Sequence, residues 1–278
     1  MIDVPPRPPV ARLVRWLAAR STWELFGIAL VWFTVWTVVA YFSLDAIVPS
    51  DRQENLSGVA GSMMGAVGGL FAFLTGFVIS SEWSHHRDAQ SAIGMEADSC
   101  VRLAWASAAP HCDGPAIRTD LAEYLRSVLA DEWPRLVAGA GSAPITHDHM
   151  TVLQHRIRRI AADPDVAPTV AGDLTKAADA ISVTRADRSN AASHDLPSPL
   201  ILLSFVAGIV LTLTTVALAL RLDSGDAVVV AGIVVVVALD LALLIAISAP
   251  FTGSVAVNSG PLSHVLTALE NERYGPIA

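Results

Sequence analysis

The sequence predicts an all-α membrane protein: four transmembrane helices with a helical cytoplasmic domain, the second helix long and continuous into the cytoplasm. Three observations carry this. Hydrophobic residues make up 53% of the 278 and charged residues only 16%, with a mean hydropathy of +0.51, which is too apolar for an average soluble domain. The apolar content gathers in four blocks, Trp23 to Leu44, Gly58 to Ser81, Pro199 to Leu220 and Ala227 to Ser248. Each is near the ~20 residues a helix needs to cross the hydrocarbon core. The second block then runs into the charged stretch from Glu82 with no Gly or Pro between Phe77 and Ile93.

These blocks divide the chain into a basic tail (1–22), spans one and two (23–81), a cytoplasmic helical domain (82–196), spans three and four (197–248) and a C-terminal tail (249–278). The tail carries Pro5, Pro6, Pro8 and Pro9, then Arg12, Arg15 and Arg20, a stiffened lead into a short basic amphipathic helix at the membrane surface. No small-residue cleavage site follows the first apolar run, so it reads as a retained signal anchor. Trp23 and Tyr41 suit the two interfaces of span one, and Glu24 suits headgroup level.

Sidedness follows from charge. Sixteen of the eighteen Lys and Arg residues lie in the two tails and the middle domain; only Arg52 and Arg221 lie in the short links. The positive-inside bias places both termini and the middle domain in the cytoplasm of an inner or plasma membrane. A net charge of −8 gives nucleic acid no basic face. Cys100 and Cys112 are too few for a disulfide framework and read as reduced.

The middle domain reads as helices throughout. Ile93, Ala97, Val101 and Ala104 mark one apolar face; Leu121, Tyr124, Leu125, Val128 and Leu129 a second, ended by Trp133-Pro134. Leu153, Ile157 and Ile160 mark a third, and Val170, Leu174, Ala177 and Ile181 a fourth. Arg185 and Arg188, one turn apart, could pair with Glu96 or Asp98, against the plainer reading of a solvated face. A short helix near Leu262 to Asn271 closes the C-terminal tail.

The most informative pattern is in span two. Gly61, Gly65, Gly69, Phe73 and Phe77 recur every fourth residue, with Gly76 beside them, and form one stripe of a helix. Small residues in such a stripe mark close helix packing; rings in the same line, repeated around an axis, make a constriction that excludes water. Both readings stand. Asp240, in the middle of span four, must face protein or water. It serves either an ion path or a structural tie, with Thr212, Thr214 or Thr215 of span three as partners. Glu82, Trp83, His85, His86 and Arg87 form an interfacial girdle where the helix leaves the bilayer.

Other chemistries lack their parts. Glu82-x-x-His85 copies half of a di-iron bundle motif, but no second copy exists, and His147, His149 and His155 have no ligand spacing, so no metal is expected. Gly65, Gly68 and Gly69 follow no strand and precede no GK[ST], and no serine sits in G-x-S-x-G. With no complete catalytic set, an enzyme is not expected, nor any cofactor.

The segments FAFLTGFVISSEW and HHRDAQSAIGMEAD, then Asp131-Glu132-Trp133-Pro134, Arg185-x-x-Arg188, Leu196-Pro197 and Pro250-Phe251-x-Gly253, resemble the bestrophin-like family of four-span membrane proteins over Gly58 to Leu262. Their order and spacing carry the likeness. That family is regarded as distantly related to bestrophins, pentameric anion channels whose second helix lines the pore and makes a hydrophobic neck from phenylalanines four apart with a glycine between. Phe73, Gly76 and Phe77 are similar to that neck, with Gly69 one step earlier. The acidic calcium-binding cluster of animal bestrophins has no counterpart, so calcium gating is not implied. The resemblance implies an oligomeric channel, a pentamer conducting inorganic anions across a lipid bilayer. The competing reading is a non-conducting membrane scaffold or sensor acting through the cytoplasmic domain.

Overall fold

The computed structural model describes residues 16–17, 20–193, 198–220, 226–253 and 255–274. Most of the N-terminal basic segment, Leu196-Pro197 and Arg221 lie outside them. Helices account for nearly all regular structure, and there is no strand among the described residues. The chain divides into two compact units, one of Met1–Ser84 with Asp195–Ala256 and one of His85–His194 with Val257–Ala278. Among the described residues, four helices are long and apolar enough to cross a membrane.

Helix α1 (Thr22–Ile47) starts at Ser21, whose hydroxyl accepts from the Glu24 backbone N–H at 3.2 Å. It ends at Val48, and Pro49 precedes α2 (Ser50–Ala106), a single 57-residue helix. Most of the link expected between spans one and two is therefore helical. Gln53 tightens the remaining turn, its side-chain amide donating to Asp45 Oδ1 and to the Val48 carbonyl, each at 3.3 Å.

Helices α7 (Ser198–Ala219) and α8 (Asp226–Ile247) complete the first unit. The core is built by Phe33 of α1, Phe71 and Val78 of α2, Leu211 of α7, and Val234, Val237, Leu241 and Leu244 of α8. A Cβ on Gly208 of α7 would sit 3.0 Å from Val237 Cγ1, 3.4 Å from Phe33 Cζ and 3.5 Å from Phe71 Cε2. The missing side chain is what lets the four helices converge there. Trp32, Phe33 and Phe205 extend this contact as a ring cluster with centroids 4.7–5.8 Å apart. After α8 the Pro250-Phe251-x-Gly253 segment turns with Phe251 buried and Gly253 at φ 82°, a conformation glycine adopts without strain.

The second unit contains the later part of α2, then α3 (Gly114–Ser127), a π turn (Val128–Glu132), α4 (Trp133–Val137), α5 (Pro144–Ala161), α6 (Pro168–Ser193) and α9 (Gly260–Glu270). The link from α2 to α3 is tight: a Cβ on Gly114 would fall 2.3 Å from the Ser107 carbonyl oxygen. Trp133-Pro134 does not end the second cytoplasmic helix as expected. Pro134 has no N–H to give the Ala130 carbonyl and its ring crowds that group. The helix widens by one residue instead of breaking, and the Trp133 N–H reaches back to the Val128 carbonyl. The core is apolar and helical-faced as predicted, with Ile93, Leu103, Ile117, Leu121, Leu125, Leu153, Ile157, Leu174 and Ile181 buried. Cys100 and Cys112 are free and buried. Residues 257–274 are not a loose tail: Leu262, Val265 and Leu269 of α9 are buried, Arg126 donates to Glu270 at 2.9 Å, and Trp105 meets Tyr274 edge-on at 5.5 Å.

Filling the convergence point should be damaging. Gly208→Val is expected to destabilise the first unit by about 1–3 kcal/mol through overpacking, read as a lower thermal midpoint by fluorescence-detected size exclusion. Gly232→Ala, where no atom lies within 4 Å of an added Cβ, serves as the silent control.

Candidate functional site

Two features bring functional side chains together, one in each unit. The first is the two-faced part of α2 in the membrane. Phe71, Thr75, Val78 and Glu82 are buried at helical spacing, and Thr75 satisfies its hydroxyl on the Phe71 carbonyl at 2.8 Å. The opposite face turns outward: Phe73 is 70% exposed and Phe77 60%. Gly65, Gly69 and Gly76 have no atom within 4 Å of where a Cβ would stand, while Gly61 faces Leu218 at 3.5 Å. Within one chain, then, the stripe is not a packing surface except at Gly61, and the close helix approach falls at Gly208.

Asp240 is half-buried on α8 and makes no hydrogen bond among the described residues. A tie to the span-three threonines, one of its two readings, is not formed within the chain. Thr212, Thr214 and Thr215 donate to the Gly208, Val210 and Leu211 carbonyls of their own helix at 2.8–3.0 Å. Of the interfacial girdle, Glu82 is buried, whereas Trp83, His85 and Arg87 are exposed and His86 is half-buried. No group of three His, Cys, Asp or Glu side chains among the described residues could hold a metal ion.

The second feature is a buried ion cluster. Arg188 of α6 is fully buried, as are Glu96 of α2 and Glu132 of the π turn. Arg188 Nε donates to Glu96 Oε2 at 2.7 Å and Nη2 to Glu132 Oε1 at 2.9 Å and Glu96 Oε1 at 3.2 Å. Arg185 Nη2 donates to Glu132 Oε2 at 2.6 Å, and the Tyr124 hydroxyl to Glu96 Oε1 at 2.6 Å. Two cations face two anions, so the cluster is neutral. Within the cluster, Arg188 Nη1 is buried with no hydrogen-bond partner among the described residues.

The electrostatics fix the protonation states. Burial opposes the Arg188 charge, but Glu96, then Tyr124 and Glu132, more than offset it and hold the guanidinium above its usual range. Burial first, then the Glu96 carboxylate, pushes the Tyr124 phenol well above its ordinary value, so it remains a donor. The π turn aligns these groups. Eight residues along an ideal helix rotate through about 800°, which leaves the eighth roughly 80° off the starting face. One extra residue in the turn absorbs much of that excess and brings Glu132 to the side that carries Tyr124.

Of the acids that the sequence offers to Arg185 and Arg188, Glu96 and Asp98, Arg188 takes Glu96, and Arg185 pairs with Glu132 instead. Asp98 is exposed and takes no part. The pairing of Glu132 leaves no trace in helical periodicity, because Trp133-Pro134 reads as a helix stop; its signals are an acid two residues before a proline and its place in the Asp131-Glu132-Trp133-Pro134 segment.

A family model described as the Bestrophin-like domain matches residues 31–262, spanning both features. The chain belongs to the Bestrophin-like family. Among solved structures, a bacterial bestrophin homologue from Klebsiella pneumoniae, phased on zinc, is similar over 90% of this chain and 99% of that one at 14% identity, with a TM-score of 0.67. Two point variants of the same homologue give TM-scores of 0.70 and 0.69 at 15% and 13% identity, covering 89% and 88% of this chain and 98% and 97% of theirs. At these identities the likeness shows the fold. Comparison with the curated proteins finds no match. This Bestrophin-like chain is thus an all-helical, multi-pass membrane protein with the bestrophin fold.

Removing one carboxylate strands buried charge. Glu132→Ala is expected to destabilise the second unit by about 3–5 kcal/mol, and Asp98→Ala to shift stability by no more than ~0.5 kcal/mol. In a Cys112→Ser background, thiol labelling of Cys100 should be slow in the native protein and much faster with Glu132→Ala, as the unit opens more often. The raised phenol also fixes a pH dependence. Tyr124 binds its proton more tightly folded than unfolded, so its contribution is intact below the unfolded value of about 10 and declines as pH rises beyond it. Tyr124→Phe should flatten that alkaline decline in thermal midpoint.

Proposed function

We propose that this protein is an oligomeric ion channel, with several copies of α2 around an axis and Phe73 and Phe77 forming a hydrophobic neck. One observation supports this reading above the others. The two rings stand outward from a helix whose opposite face is committed to the core of its own chain. Rings left bare by one chain, next to glycines open to close approach, suit a neck built by symmetry. An apolar constriction of this kind gates by dewetting.

The family resemblance supports five copies and inorganic anions as permeant ions. The distribution of basic residues supports cytoplasmic termini, with the second unit on the same side. The protein acts by conduction, not by chemical conversion of a substrate.

Mass measurement of the detergent-purified complex, joined to a chloride-flux assay in liposomes, tests this. A defined homo-oligomer with flux is expected, and Phe73→Ala with Phe77→Ala should raise conductance severalfold by removing the constriction. A strict monomer without flux overturns the channel. An intact oligomer that stays silent in both forms favours the scaffold or sensor.

A further inference from the structure

A groove in the first unit is assigned by none of the above. It lies where α1, α7 and α8 diverge at the end of the spans nearest the α1–α2 turn, and its volume is about 480 Å³. Along α1 its walls run from Leu30 to Phe42. Small residues make the room: Ala219 ends α7, and Ala227 and Ala231 lie in the first turns of α8. We propose that this groove holds one acyl chain of a membrane phospholipid from that leaflet.

Three arguments select this occupant. The first is chemical. The walls are aliphatic or aromatic apart from the hydroxyls of Thr34, Thr37 and Tyr41, and Thr37 spends its proton on the Phe33 carbonyl at 2.7 Å. A water molecule needs two to four polar partners, so water does not fill such a space. The second is access. Val38, Phe42 and Val235 on the rim are exposed, so the groove opens sideways toward hydrocarbon within helices that cross the membrane.

The third is dimensional. Leu30 to Phe42 covers about 18 Å of helix, close to the ~15 Å depth of one leaflet of a hydrocarbon core about 30 Å thick. The groove therefore runs along its helices for about the depth of one leaflet, the course an acyl chain takes. Tyr41 adds to the groove wall a ring with a polar tip, a side chain that favours the membrane interface.

The test uses the full chain in liposomes of phosphatidylcholine carrying a diazirine near the middle of one acyl chain. After photolysis, peptides are mapped by mass spectrometry. Labelling at Thr34–Phe42 and Ala227–Val235 is expected to exceed, severalfold, that at Leu202, Leu203 and Val206, exposed apolar residues of α7 away from the groove. Ala231→Phe and, separately, Ala227→Phe should lower groove labelling severalfold and leave Leu202, Leu203 and Val206 unchanged. Equal labelling of groove and control in the wild-type protein overturns the proposal, without reliance on either variant. So does efficient capture of a second copy by a photo-crosslinker placed at Val38, which would make the groove a subunit interface.

Discussion

The second unit depends on how one cation, Arg188, is kept away from water. A fully buried guanidinium persists only if opposite charges and acceptors surround it, and here Glu96 and Glu132 do so from two different segments. Those carboxylates are themselves buried, so Tyr124 and Arg185 are required in turn. Such a cluster adds little net stability over a well-packed apolar core of equal volume. What it imposes is selectivity among packings: a slip of α6 by one turn leaves charges stranded. The segments that carry family resemblance around Glu132 and Arg185-x-x-Arg188 meet at this cluster, so a physical constraint underlies their spacing.

The first unit answers to a different requirement. In hydrocarbon, association of helices gains little from burying apolar surface and relies on close approach. Gly208 provides that approach, with Phe33, Phe71 and Val237 around it. Once α2 spends its Phe71, Thr75 and Val78 face there, its phenylalanine face is left outside the single chain. The two-sidedness of α2 is thus a consequence of packing on α1, α7 and α8, before any channel is considered.

Much of this was legible in the sequence, for definable reasons. Four spans and the helical middle domain declare themselves because hydropathy and the 3.6-residue period are local properties. The Arg188–Glu96 pair was accessible because both residues lie within long uninterrupted helices that the sequence declares. Glu132 was not, because a π turn shifts the helical phase and leaves no period of its own. Gly208 is a lone glycine in an apolar run and carries no pattern, whereas the glycines of span two repeat; within one chain only Gly61 of that stripe meets a neighbouring helix. The role of α9 was hidden since its partners lie more than a hundred residues upstream, as Arg126 and Glu270 show.

That last arrangement has a bearing on how the protein is made. Each unit is discontinuous in the chain: the first needs α7 and α8 to complete what α1 and α2 begin, and the second needs α9 to cover α3. During synthesis, the apolar edge of α3 awaiting Leu262, Val265 and Leu269 stays uncovered while the last two spans are still entering the membrane. The first unit cannot close before α8 has left the ribosome, nor the second before α9 has. Closure of the second unit is therefore a late, long-range event, and the interval before it is when the chain is most exposed to misassembly and proteolysis.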